Sequence, residues 1–318
     1  MTLDDIKQEI NDAEHIIILT HEYPDGDAIG SSLAMYNALC QMGKDVDVVI
    51  PNYPKTFDFL PGVDKIKSEG RKDFTYDLGI ALDCADTKRL KGYEEFYENS
   101  KVKISIDHHG TNTMYADYNY VDPVSPACTQ ILIVLLASIG VEINKDIGTC
   151  ILTGLLTDTG GFRYSGVSTE TFEIAARILR LGVNISDVCR RVLQVKTKAH
   201  FELTKIIIDR MEFFENGKIA FTYMTLEDEE RLNVKPGDHE GIVEIGRDIE
   251  NVEVSIFLRE VENGFKVSLR SNEYVNVAEA CSIFGGGGHL RAAGCTIHFP
   301  LEQTKEKVVD RVKSFLEE

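Results

Sequence analysis

No apolar run in the chain approaches the roughly 20 residues that a membrane-spanning helix needs. No CxxC pair occurs either. The seven cysteines, Cys40, Cys84, Cys128, Cys150, Cys189, Cys281 and Cys295, are scattered and odd in number. A disulfide framework or a thiolate zinc site is therefore not expected, and they read as reduced thiols that mostly fill the core. The first residues, MTLDDIKQEINDAEH, lack the basic start and apolar stretch of a secretion signal, so a soluble cytoplasmic protein without membrane partners is the expectation. Positive charge is scarce: 34 Lys and Arg stand against 52 Asp and Glu, a net charge of −18. Such a surface repels a long polyanion, so a nucleic-acid substrate would have to be short and held by a few local cations. Internal repeats, low-complexity tracts and a Pro- or Gly-rich linker are also missing.

What is present fits a globular protein. The 318 residues are long for one core, and 43% hydrophobic with 27% charged residues argues against wholesale disorder. The first half alternates apolar, β-branched runs with helical patterns. Strands buried on both faces are expected at 15–21, 46–50, 77–83 and 101–109, with a helix in DAIGSSLAMYNALCQMG ended by Gly43. Strands separated by helices imply βαβ units and a mainly parallel sheet. Three helices are expected in 126–181, and continuous helical character from about 184 to 214. Strand-like segments follow at 218–224, 251–261 and 264–271, the last two joined through an Asn263-Gly264 turn. A helix near 276–284, a GGGGH run, the strand CTIHFP and a charged helix complete the pattern. The expected fold is α/β: residues 1–190 as a mainly parallel sheet flanked by helices, 191–214 as a helical connector, and 215–318 as a smaller α/β domain with a mixed sheet.

Polar residues collect just after the strands, where open α/β sheets bind ligands. They are His21 with Asp25 and Asp27, then Asp83 with Asp86, then Asp107, His108 and His109; Asp158 sits in TDTGG between two helices. Asp25, Asp27, Asp83 and Asp158, if brought together bare, would repel one another, whereas two divalent ions would cancel their charge. Asp and His suit Mn²⁺ and related ions. Two such ions about 3.5–4 Å apart are a common device for displacement at phosphorus, so hydrolysis of a phosphoester or phosphoanhydride is the reaction class. Gly285 to Gly288 allow backbone amides to approach an anion, and His289 can donate to it. Arg270 and Ser271 end the preceding strand. An interdomain cleft with metals on one wall and this anion cradle on the other would suit a small substrate with two phosphates. His15, His200, His239 and His298 lie outside these motifs and read as structural.

HEYPDGD, the aspartate of ALDCAD, IDHHG, LLTDTGGF, SLRS with NVAEA, and FGGGGHLRAAG occur in this order between residues 21 and 294. Together they resemble the DHH phosphoesterase family with its DHH-associated C-terminal domain, and within it the nanoRNase branch, which cleaves very short RNA and dephosphorylates pAp (adenosine 3′,5′-bisphosphate). The resemblance implies that His21 and Asp25 hold one Mn²⁺, that Asp27, His108 and Asp158 hold a second, and that Asp83 bridges them, with Mg²⁺ or Co²⁺ as substitutes. It implies that His109 lies beside the scissile phosphate or leaving group and that Asp107 orients the histidines. Arg270, Ser271, Gly286, Gly287, Gly288 and His289 would grip a substrate phosphate. Arg163, Asp86 and Arg291 stay open, as does a homodimer. The expected substrates are short oligonucleotides, linear dinucleotides and pAp. The alternatives are a pApA-specific phosphodiesterase, an inorganic pyrophosphatase, whose partner domain lacks the GGGGH-RAAG signature, and a non-catalytic nucleotide-binding module.

Overall fold

The computed structural model describes residues 3–164, 166–235 and 237–316. The chain divides into two compact units, Met1–Val195 and Lys196–Glu318.

In the first unit the β-branched runs form a six-stranded sheet. Its strands are β1 (His15–Leu19), β2 (Asp45–Val49), β3 (Ile66–Lys67), β4 (Leu78–Leu82), β5 (Val102–Asp107) and β6 (Tyr118–Val121), in the order β3-β2-β1-β4-β5-β6. Every pairing is parallel. The central strands are buried on both faces, which is why they read as unbroken apolar runs. One face is covered by α2 (Gly26–Gln41), α4 (Cys128–Ser138), α5 (Lys145–Asp158) and α6 (Thr169–Arg180), with α1 (Leu3–Asp12) alongside. The other carries a smaller cluster around Tyr76, Leu90, Tyr93 and Tyr97, beneath α3 (Glu94–Glu98). The order of strands reverses between β1 and β4, so the loops leaving their carboxyl ends diverge and open a crevice there.

Helices α2 and α5 meet closely because both carry glycine at the contact. A Cβ on Gly30 would stand 2.6 Å from the Cys150 carbonyl oxygen, and one on Gly154 would stand 2.3 Å from Asp27 Oδ1. The helical stretch expected over 184–214 is broken. It divides into α7 (Ile185–Cys189), a π-helical turn over Arg190–Gln194, and α8 (Lys198–Asp209), which Thr197 starts by accepting from the His200 amide. Residues Glu212–Phe214 are already strand β7.

The second unit has a mixed sheet in the order β11-β12-β10-β9-β8-β7. The further strands are β8 (Ile219–Met224), β9 (Val254–Val261), β10 (Gly264–Ser271), β11 (Gly287–His289) and β12 (Ala292–Ile297). Only β8 and β9 are parallel, and α9 (Leu226–Leu232) and α10 (Ile242–Arg247) lie in the crossover this requires. Helices α11 (Val277–Ser282) and α12 (Leu301–Lys313) cover one face; α8 and α10 cover the other. The β9–β10 hairpin is one residue out of the expected register. Val261 pairs with Gly264, so Glu262 and Asn263 are its two central residues. Gly264 has φ +138, and a Cβ there would lie 2.1 Å from the Ile297 carbonyl oxygen.

Candidate active site

The polar residues expected at the strand ends are gathered at the crevice. Asp25 caps α2, its Oδ1 accepting from the amides of Asp27 at 3.0 Å and Ala28 at 3.1 Å. Asp27, in the first turn of the same helix, is fully buried. Its Oδ1 accepts from the Thr129 amide at 3.0 Å and the Thr129 hydroxyl at 2.6 Å, and Oδ2 accepts from the Cys128 amide. Ala127 offers α4 no side-chain cap, so the carboxylate of another helix satisfies its first amides.

Asp83 follows β4 with φ +53, a left-handed conformation that costs a non-glycine residue energy. The turn is anchored by its amide, which donates to the Ile106 carbonyl at 3.0 Å. Its side chain is buried and stands in three groups of donors, one of them with Asp107 and His109. The ligand atoms of His21, Asp25 and Asp83 lie within 4.8 Å of one another, and so do those of Asp27, Asp83 and His108. Asp158, at the end of α5, places Oδ2 3.3 Å from His108 Nε2.

His108 Nδ1 donates to the Ser125 carbonyl at 3.2 Å. A carbonyl only accepts, so that nitrogen carries the proton and Nε2 is aimed at the carboxylates, 3.4 Å from Asp83 Oδ1. Asp107 is fully buried. Its Oδ1 takes His109 Nδ1 at 2.7 Å and the amides of His108 and His109 at 2.8 and 3.2 Å. Its Oδ2 accepts from Asn112 at 2.7 Å. The imidazole of His109 is thereby fixed from behind.

The clustered groups shift one another's ionisation. Burial, with the Asp83 charge added, pushes the Asp27 carboxyl up to about 7. Burial and the charges of Asp25 and Asp27 push Asp158 well above the usual carboxylate range. Burial also opposes ionisation of Asp83, but His108, His109 and His21 outweigh it and hold its carboxyl low. His108 is affected in the opposite sense: burial disfavours its charged form, yet Asp158 and Asp83 raise it well above an ordinary imidazole. Burial lowers His21.

Divalent ions fit this donor set. Buried His21 Nδ1 and Asp83 Oδ1 have no hydrogen-bond partner among the described residues, and carboxylate oxygens with imidazole nitrogens are ligands that Mn²⁺, Mg²⁺ and Co²⁺ accept. Their positive charge would favour the ionised carboxylates of Asp27 and Asp158, which burial and neighbouring charges otherwise disfavour.

In the second unit the glycine run has a structural explanation that composition did not reveal. Gly287 to His289 form edge strand β11 against β12. A Cβ on Gly286 would lie 2.2 Å from the Gly294 carbonyl oxygen, and one on Gly288 2.5 Å from that of Ala292. The amides of Gly285 and Gly286 donate to the carbonyls of Ser282 and Cys281. His289 is exposed on the edge strand. Arg270 Nε pairs with Glu244 Oε1 at 2.9 Å. The Ser271 hydroxyl donates to the Val275 carbonyl at 2.7 Å, and Arg291 is occupied by the carbonyls of Val275 and Glu273. Arg163 bonds the Gly160 carbonyl, and Asp86 caps the turn at Thr87–Leu90. His15 Nδ1 contacts Asp45, while the Nδ1 atoms of His200 and His298 donate to backbone carbonyls.

Thr129, Ser125 and Asn112 support the cluster and were not singled out from sequence. Thr129 and Ser125 flank the start of a helix that reads as plain core, so no local pattern marks them. Asn112 lies in the loop just beyond DHH, and its position there was the one available signal.

Comparison with known proteins bears on the whole chain. Residues 15–155 match the DHH family N-terminal domain, and residues 216–318 match the DHHA1 domain. The chain is 35% identical over 304 residues to the bifunctional oligoribonuclease and PAP phosphatase NrnA of Thermus thermophilus, covering 95% of this chain and 90% of that one. It is 25% identical over 315 residues to a probable bifunctional oligoribonuclease and PAP phosphatase NrnA of Streptococcus mutans, covering 98% of each. Among solved structures, an exopolyphosphatase-related protein from Bacteroides fragilis matches with a TM-score of 0.90 at 28% identity, over 98% of this chain and 96% of that one.

Proposed function

The chain belongs to the DHH family, and on that premise we propose that it is a manganese-dependent phosphohydrolase of short nucleotides. It cleaves oligonucleotides of a few residues to nucleoside 5′-monophosphates and converts pAp to AMP and phosphate. Two relatives aligned over nearly the whole chain are named for these two activities. The observation that carries the reading is that Asp83 is shared between the His21–Asp25 and the Asp27–His108 donor groups. Such sharing is what a pair of ions needs and what one ion does not.

His21 and Asp25 would hold one ion, Asp27, His108 and Asp158 the other, and Asp83 both. When bound, the pair supplies an activated water and neutralises charge on the phosphoryl oxygens. The chain's own groups do the rest. Ser125 fixes the tautomer of His108, and the α4 amides hold Asp27 in register. Asp107 occupies His109 Nδ1, so His109 exchanges a proton through Nε2, which it hands to the departing oxygen as the phosphorus–oxygen bond breaks. Arg270, Gly286, Gly287, Gly288 and His289 hold a substrate phosphate, with Ser271 shaping the turn beside them. The net charge of −18 disfavours long strands. A cytoplasmic location belongs to the same proposal.

The test is turnover of the metal-stripped protein, with Mn²⁺ restored, on pAp, pApA, a short RNA, a long single strand and pyrophosphate. Fast turnover of pAp and the short RNA, with little on the long strand, is expected. Selectivity for pApA or dominant pyrophosphate hydrolysis would replace this reading, and no turnover would leave a binding protein.

A further inference from the structure

Two cysteines flank the glycine run of the second unit. Cys281 is buried in α11, and Cys295 is half-buried on β12. Gly286 joins them: its amide donates to the Cys281 carbonyl at 3.1 Å, and a Cβ on it would lie 2.4 Å from the Cys295 Cβ. Cys295 pairs with Val267 of β10, which turns its side chain into the core that Cys281 occupies.

We propose that Cys281 and Cys295 form an oxidation site, closed to a disulfide by a hydroperoxide and reopened by thiols, that moves the glycine run. The two thiols lie on neighbouring elements of one core and influence each other's ionisation. Their interaction lowers the Cys295 thiol, and the same interaction with burial raises Cys281. Cys295 is the more exposed of the two, so a peroxide reaches it first and it is the attacking thiolate. Its sulfur attacks the peroxide, the O–O bond breaks, and the departing oxygen takes a proton, leaving Cys295 as a sulfenic acid. Cys281 sulfur then attacks that sulfur; the S–OH bond breaks, and the hydroxide leaves as water with the Cys281 proton. Two thiols lose two electrons, and the peroxide is reduced to water or to water and an alcohol. Closing the bond draws α11 toward β12, and Gly286, bonded to the Cys281 carbonyl and lying against Cys295, shifts with them.

The chemical step stands without the assigned activity; its consequence for turnover rests on the proposed function. The full-length protein is treated with hydrogen peroxide, then mapped by peptide mass spectrometry without reduction, and assayed on pAp before and after dithiothreitol. The expected result is a 281–295 linked peptide, a rise of about fivefold in KM for pAp, and recovery on reduction. Cys281→Ser should accumulate a trapped sulfenic acid at Cys295, and Cys295→Ser should give no linked peptide and no change in KM. Absence of the linked peptide, or an equal response in the Cys281→Ser, Cys295→Ser double variant, would overturn the proposal. A linked peptide with unchanged KM would overturn the movement of the glycine run. A linked peptide in a protein that does not hydrolyse pAp would keep the oxidation site and reject the activity.

Discussion

The hydroxyl of Thr129 donates to Asp27 Oδ1 at 2.6 Å, tying a fully buried carboxylate of α2 to the first turn of α4. Two helices are locked together at the point where the cluster needs a fixed charge. The carboxylate gains three donors it would otherwise lack, and α4 gains the cap that Ala127 does not provide. Replacement of Thr129 by valine keeps the shape and removes one donor. Mn²⁺ binding should weaken about fivefold, in line with about 1 kcal/mol for one hydrogen bond to a buried acceptor. Titration calorimetry of Thr129→Val against the parent checks this.

Metal affinity should rise with pH through neutrality. Asp27 has its carboxyl raised from an ordinary 3.8 to about 7, and Asp158 shifts in the same direction. The native metal-free chain therefore binds more protons than the unfolded chain between those values. The stability from Asp27 is complete below pH 3.8 and is lost as pH rises through about 7. Bound ions displace the protons, so calorimetry in buffers of different ionisation enthalpy should record proton release near pH 6 to 7 that diminishes as pH rises. Denaturant midpoints of the metal-free protein should fall across the lower interval.

Asp107→Asn should separate positioning from metal loading. Asp107 holds His109 Nδ1 at 2.7 Å, and although these two stand in a donor group with Asp83, neither belongs to the two groups assigned to ions. Loss of the carboxylate frees the ring and its tautomer. kcat on pAp should fall about 10- to 100-fold, with manganese content by elemental analysis nearly unchanged.

Stability of the first unit depends on another buried acid. Asp47 on β2 is 1% exposed and accepts from Tyr76 Oη at 2.6 Å, with Arg71 Nε at 2.9 Å and Lys67 beside it. Burial opposes its ionisation, but Lys67, Tyr76 and Arg71 outweigh burial and lower its carboxyl. This contribution is present above the ordinary carboxylate value of 3.8 and is lost as pH falls through the depressed native value. Asp47→Asn should cost about 2 kcal/mol near neutrality, and the penalty should shrink in acid. Urea denaturation at two pH values measures both.

Much of this was legible in the chain itself. Ile16 to Leu19 and Leu78 to Leu82 are buried on both faces, so they announce central parallel strands, and polar residues after them mark the crevice. Strand β6 escaped because Tyr118–Val121 is a half-exposed edge with no apolar run, and β3 is only Ile66–Lys67. The break before α8 was hidden because Val195, Lys196 and Thr197 carry neither glycine nor proline; Thr197 reveals itself as a cap only when its oxygen is seen to meet the His200 amide. The glycine run was read by its freedom to approach an anion. Its position against β12 shows that Gly286 and Gly288 are demanded by neighbouring carbonyls as well.

The most direct measurement is the manganese stoichiometry of the parent and of Asp83→Ala, taken with pAp turnover on the same samples. Two ions per chain in the parent, with both loading and turnover abolished in Asp83→Ala, is the predicted result. A single ion in the parent, or undiminished turnover in the variant, would contradict a shared aspartate at the centre of the reaction.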